Sequence, residues 1–191
     1  MMNLIDQFTI HRGTMALLPY DSSEGRLWTF VVDEDRVRTV KMSPLEVIKN
    51  SCSYYGSTYS GRKRGAASMG YKSMPPICVC SELNIYFFPL MSEANRECIW
   101  LAHSHIRQWE VVDNSTIQVL LTHNQPLRIP VHQSVFVKKV FRTAQYRHQL
   151  CERVSPYEYT PTPQVPHEKN SLKNLVINER GTYSLKHDPS D

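Results

Sequence analysis

The chain has 191 residues, 41% hydrophobic and 21% charged, enough for one sizeable core plus a short appended segment. A formal net charge of +4 is too small to identify a nucleic-acid binder by itself, and no apolar run approaches the roughly 20 residues that a membrane-spanning helix requires. Five irregularly spaced cysteines and no apolar leader are what is expected of reduced thiols in a soluble cytoplasmic protein, not of a disulfide framework.

The first forty residues alternate apolar runs with turn chemistry. Thr14 to Leu18 precedes Pro19, Leu27 to Val32 leads into acidic Asp33 to Asp35, and Val37 to Met42 follows, which predicts a meander of antiparallel strands. Ser43-Pro44-Leu45-Glu46 then supplies an N-cap serine, a proline at the first helical position and a capping-box glutamate. Leu45, Ile48, Cys52 and Tyr55 recur at helical spacing, so a helix is predicted over 43–55, ended by Gly56. The next segment, Gly56-Ser57-Thr58-Tyr59-Ser60-Gly61-Arg62-Lys63-Arg64-Gly65, is expected to be a basic loop.

After Pro75-Pro76, strands are predicted at Ile85 to Phe88, Ile99 to His105, Trp109 to Val112, Ile117 to Leu121 and Leu127 to Val131, with turns at Asp113-Asn114 and His123-Asn124. From Gln133 to Arg153 the period becomes 3.6. Phe136, Val137, Val140, Ala144 and Cys151 fall together on a helical wheel, opposite Lys138, Lys139 and Arg142. Prolines 156, 161, 163 and 166 then interrupt any regular element, which predicts a flexible C-terminal tail over 155–191 with a short ordered piece at Leu175 to Ile177. The expected architecture is α+β: a mostly antiparallel, curved or barrel-like sheet with two main helices, forming one domain over 1–154, and the tail.

Charge is unevenly placed along this plan. Residues 1–46 hold seven acids and five bases, whereas 47–81 and 114–151 each hold five bases and no acid. Within the first basic block, glycines permit close backbone approach, Ser57, Thr58 and Ser60 offer small hydrogen-bonding groups, Tyr59 adds a flat face, and Arg62, Lys63 and Arg64 attract phosphate. Gly56 and Gly61 imitate the start of a nucleotide-binding P-loop, but Arg62 and Lys63 stand where Lys and Ser or Thr are needed, and a helix rather than a strand precedes them. Cys78 and Cys80 lack the usual zinc-knuckle spacing, His103 and His105 are expected on one face of a strand, and Cys52 falls on an apolar stripe. Neither a metal, a cofactor nor catalysis is expected.

The run from Ser51-Cys52-Ser53-Tyr54-Tyr55 through Gly65 resembles the signature of the competence transcription factor (ComK) family. Pro75-Pro76-Ile77, Phe88-Pro89, Cys98, Trp100, His103, His105 and Arg142-Thr143-Ala144 follow in order, and the resemblance spans residues 8–153. It implies a cytoplasmic, non-enzymatic transcriptional activator of DNA-uptake genes. Such a protein binds A/T-rich double-stranded promoter boxes mainly through the minor groove, as a dimer or higher assembly, and acts indirectly on RNA polymerase. In the family a C-terminal segment is implicated in delivery to a Clp-type protease by an adaptor, although no counterpart of it is visible after Val154. The expected DNA-binding residues are Ser57, Tyr59, Gly61, Arg62, Lys63, Arg64, Lys138, Lys139 and Arg142. The alternative is a protein-interaction module whose basic loop binds an acidic partner.

Overall fold

The computed structural model describes residues 4–154, 175–177, 179–180 and 182–185. The chain divides into two units, Met1–Val154 and Ser155–Asp191. In the first, strands β1 (Leu4–Ile5), β2 (Thr14–Asp21), β3 (Leu27–Asp33), β4 (Val37–Val40), β5 (Ile77–Cys80), β6 (Ile85–Pro89) and β7 (Trp100–Ala102) form one sheet. Their order is β1-β4-β3-β2-β7-β6-β5, antiparallel except for the short β1–β4 pair. Strands β8 (Ile106–Asp113), β9 (Thr116–Leu121) and β10 (Pro126–Ile129) form a second, antiparallel sheet. The fold is α+β as expected. It does not close into a barrel, because the seven-stranded sheet ends openly at β1 and β5 and the last strands form a separate sheet.

Local chemistry explains most of the boundaries. The β2–β3 hairpin turns at Gly25, whose positive φ of 73° an L side chain would resist. Pro19 does not end its strand: it pairs with Thr29 on β3, while β7 meets β2 only at Ala16 and Leu17, so the missing N–H has no second ladder to break. The run expected to continue as a strand to His105 instead turns into a 3₁₀ helix at His103–His105.

Helix α1 (Pro44–Tyr54) carries the capping box as predicted: Ser43 Oγ accepts from the Glu46 N–H, and the Ser43 N–H donates to Glu46 Oε2 at 2.7 Å. Its Val47, Ile48 and Cys52 pack with Leu17, Val31, Ile77, Phe87 and Trp100 against one face of the large sheet. Phe88, Leu101 and Met15 on the other face meet Ile117, Val119 and Leu121 of the small sheet and Phe136 and Val140 of a long C-terminal helix, Gln133–Val154.

Between these two helices the structure departs from expectation. Residues read as a basic loop form helix α2 (Tyr59–Ser68), started by Thr58, whose hydroxyl accepts from the Gly61 N–H at 3.0 Å. A single residue of α2, Ala66, is buried, so the helix shows no apolar stripe from which its period could be read.

The apolar face of the C-terminal helix, α3 (Gln133–Val154), is also rotated from the one predicted. Its buried residues are Phe136, Lys139, Val140, Thr143 and Tyr146, and Cys151 is exposed. Tyr146, on that buried face, packs edge-on against Tyr71 at 5.3 Å and Tyr86 at 6.1 Å. Lys139 tolerates burial because its stem is apolar and its ammonium reaches the Met74 carbonyl.

In the second unit, β11 (Leu175–Ile177) and β12 (Tyr183–Leu185) pair antiparallel. Most of the tail expected over 155–191, including all four of its interrupting prolines, lies outside the described residues.

Candidate nucleic-acid interface

Helix α2 packs against β5, the edge strand of the large sheet. Tyr59 at its start packs against the core that holds α1, whereas Ala66 near its end belongs to a cluster with Tyr71, Cys78, Tyr86 and Tyr146 on the other side of the strand. The helix therefore crosses and covers an edge that would otherwise present unpaired backbone groups. The same cluster joins α2 to α3, so the two acid-free basic blocks of the sequence become neighbours.

The cations of α2 are not equivalent. Lys63 and the Tyr59 hydroxyl both donate to the carboxylate of Glu93, which is only 22% exposed. Burial disfavours ionisation of Glu93, but the bonds from Lys63 and Tyr59 outweigh it and hold the carboxyl below its usual range. Burial first, and the bond to Glu93 second, push the Tyr59 hydroxyl far up, so it serves as a donor. Arg62 is half-buried, and among the described residues its Nε has no hydrogen-bond partner. Arg64 is exposed and makes no ion pair among the described residues. Ser57 is half-buried; its N–H donates to the Cys52 carbonyl at 2.9 Å.

The two glycines inside α2 differ as well. A Cβ on Gly61 would lie 2.9 Å from Thr58 Oγ1, so the helix start requires a glycine there. Gly65 is exposed and, among the described residues, a Cβ would meet nothing within 4 Å, so no contact there explains a residue that costs helix stability.

On α3, Lys138 is exposed, while Lys139 is 6% exposed and donates to the Met74 carbonyl at 3.2 Å. Burial brings its pKa down to about 8, with Arg142 adding to the effect. Its ammonium is thus turned inward rather than outward as the helical wheel implies. Arg142 is half-buried and donates to the Ser73 carbonyl through Nη1 and Nη2, both at 3.3 Å. Phe141, 64% exposed, follows Lys138 by three residues on the same helix. Arg147 is absent from the expected site residues, although it is part of the second basic block. It donates to His103 Nδ1 at 2.6 Å and to Asn84 Oδ1 at 2.7 Å, partners too distant in sequence for spacing to reveal.

The groups considered for chemistry have other roles. His105 is buried between Thr122 Oγ1 and the Arg12 carbonyl, both at 2.7 Å. Burial pushes the Cys52 thiol up to about 11 despite the opposing charge of Arg62. Among the described residues, no three His, Cys, Asp or Glu side chains are grouped as metal ligands.

The ComK protein family profile matches residues 5–155. The chain belongs to the ComK family. The matched span contains both basic helices and stops one residue after α3. Over 151 residues the chain is 28% identical to the competence transcription factor of Bacillus subtilis (strain 168), covering 78% of each protein. No solved structure matches the chain. Among the described residues, no helix is long and apolar enough to cross a membrane.

Proposed function

We propose that this ComK-family chain is a DNA-binding transcriptional activator of competence genes, working in the cytoplasm without a cofactor or catalytic step. The reading is supported by the family, by the named function of the Bacillus subtilis relative, and above all by α2: an acid-free helix that places Arg64 outward beside an exposed glycine with no role in packing.

In this proposal the outer surface of α2 lies against the sugar-phosphate backbone. Arg64 supplies the leading charge, and Gly65 lets the helix backbone approach the duplex closely. Exposed Ser60 and the first turn of the helix add hydrogen-bonding groups. Lys138 and Arg142 extend the contact along α3, with Arg62, Lys63 and Tyr59 shaping the α2 surface from within. Ser57 and Gly61 set the turn that aims it. Lys139 supports α3 through Met74 and contributes to DNA only through its field.

A/T-rich boxes would be selected mainly through the narrow, electronegative minor groove and the bending energy of the duplex, because the surface offers few groups able to read base edges. Assembly as a dimer or higher oligomer, indirect action on RNA polymerase and delivery to a Clp-type protease by an adaptor belong to the same proposal.

Binding of the full chain to labelled A/T-rich and G/C-rich duplexes over a salt series tests it. The expected result is an affinity that falls steeply with salt, keeps an A/T preference, and drops in Arg64→Ala. Equal, weak binding of both duplexes by wild type and Arg64→Ala would refute the reading.

A further inference from the structure

Helix α3 holds two guanidinium groups in place without a carboxylate. Arg142 donates to the Ser73 carbonyl and lies over the Tyr71 ring, 5.7 Å from its centroid. Arg147 donates to His103 Nδ1 and Asn84 Oδ1 and lies over the Tyr86 ring, 5.3 Å from its centroid. Tyr71 and Tyr86 both pack edge-on against Tyr146. The five side chains therefore form a connected series, Arg142, Tyr71, Tyr146, Tyr86, Arg147, with an arginine at each end. Neither arginine makes an ion pair among the described residues, and the sequence has no acid from Asn114 to Cys151.

Neutral partners orient a guanidinium without cancelling its charge. A carbonyl, an amide oxygen, an imidazole and two aromatic faces restrict the arginine rotamers, so less freedom is lost when an anion binds, and the fork's remaining N–H groups stay available. The imidazole is suited to this role. Burial, reinforced by the nearby Arg147 charge, takes the pKa of His103 down to about 4, so at neutral pH it accepts a hydrogen bond instead of competing as a second cation. An arginine serving only to tie α3 to the sheet would gain more from a carboxylate than from these weaker acceptors.

We infer that Arg147 joins Arg142 as a further phosphate-backbone contact for duplex DNA on α3, with His103 and Asn84 as positioning residues for Arg147. The inference rests on the DNA-binding reading of this chain and extends the contact along α3 beyond Lys138 and Arg142 to Arg147.

The test uses the full chain and a labelled A/T-rich duplex, titrated over about 50–200 mM salt, with folding of each variant checked by thermal melting. Arg147→Met is expected to lower affinity about three- to tenfold and to reduce the slope of log affinity against log salt by about 0.9, the share of one phosphate. Arg147→Lys should keep the slope and recover only part of the affinity, because an ammonium lacks the guanidinium fork. Wild-type affinity and slope in Arg147→Met, or equal loss of slope in Arg147→Lys, would overturn the inference. If Arg147→Met does not fold, Arg147→Gln, which keeps a polar amide beside His103 and Asn84 but no charge, carries the same expected loss and the same refutation. Salt-dependent binding that Arg64→Ala weakens but Arg147→Met leaves unchanged would overturn this site alone. Failure of wild type to bind duplex would overturn the DNA reading itself.

Discussion

Glu93 shows how one acid can set the charge of a basic helix. It accepts from both Tyr59 and Lys63, so it fixes the first turn of α2 and neutralises one of its three consecutive cations. Glu93→Gln removes that neutralisation while leaving an acceptor for Tyr59. Duplex affinity is expected to rise and the salt slope to steepen by about 0.9, measured by fluorescence anisotropy; an unchanged slope would mean that Lys63 does not face DNA. In the sequence Lys63 is one of three similar charges. Its partner is 30 residues away, and only folding distinguishes it from exposed Arg64.

A second acid has a structural role. Asp33 is 1% exposed and is paired with Arg38, itself 18% exposed, and with His11 at 3.4 Å. Arg38→Met would leave a buried carboxylate without its guanidinium. A loss of about 3–5 kcal/mol in stability is expected from urea unfolding; a loss within experimental error would show that Asp33 does not depend on Arg38. The sequence presents Asp33 as part of an acidic surface turn, because burial of a carboxylate at a strand end cannot be read from alternation.

Among the elements, α1 is legible in full because its capping box, N-terminal proline and apolar spacing all lie within a dozen residues. Helix α2 is not. Its two glycines, with Ser57 and Ser60 at its start, suggest a loop, and with Ala66 alone buried it gives no periodic signal. The usable signals are Thr58 as an N-cap and the helix-forming run Arg62 to Arg64 followed by Ala66-Ala67. The contrast between its glycines can be tested directly. Gly65→Ala should stabilise the protein by about 0.5–1 kcal/mol, since nothing obstructs a Cβ, yet weaken duplex binding if the backbone approaches DNA there. Gly61→Ala should lower the melting temperature by displacing the Thr58 cap. A Gly65→Ala protein that melts higher and binds DNA as well as wild type would remove Gly65 from the interface.

Over the folded domain as a unit, histidines whose pKa the fold lowers couple stability to pH. His11, His103 and His105 are all held below the ordinary imidazole value, with burial the first cause in each and His103 reaching about 4. Each binds a proton more readily when the chain is unfolded. Their contribution is therefore fully present above the unfolded value near 6.5 and is lost as pH falls toward the folded value. For His103 the loss between about pH 7 and pH 5 is of order 1–2 kcal/mol. Urea midpoints should decline steadily over that interval, and His103→Gln should lessen the decline. A flat profile would mean that the His103 and His105 rings are hydrated in the folded protein.

Alternation, caps and composition suffice to establish the α+β class, the antiparallel hairpins, the well-capped first helix and the two basic blocks without acids, because each of these signals acts over a few residues. What the blocks became depended on the fold. Packing turned the basic segment into a helix over the β5 edge, rotated α3 so that Lys139 points inward, and gave Lys63 an acid while leaving Arg142 and Arg147 with neutral partners. The physical reason is that a cation's effective charge and reach are set by the groups around it, and those come from strands and loops distant in the chain.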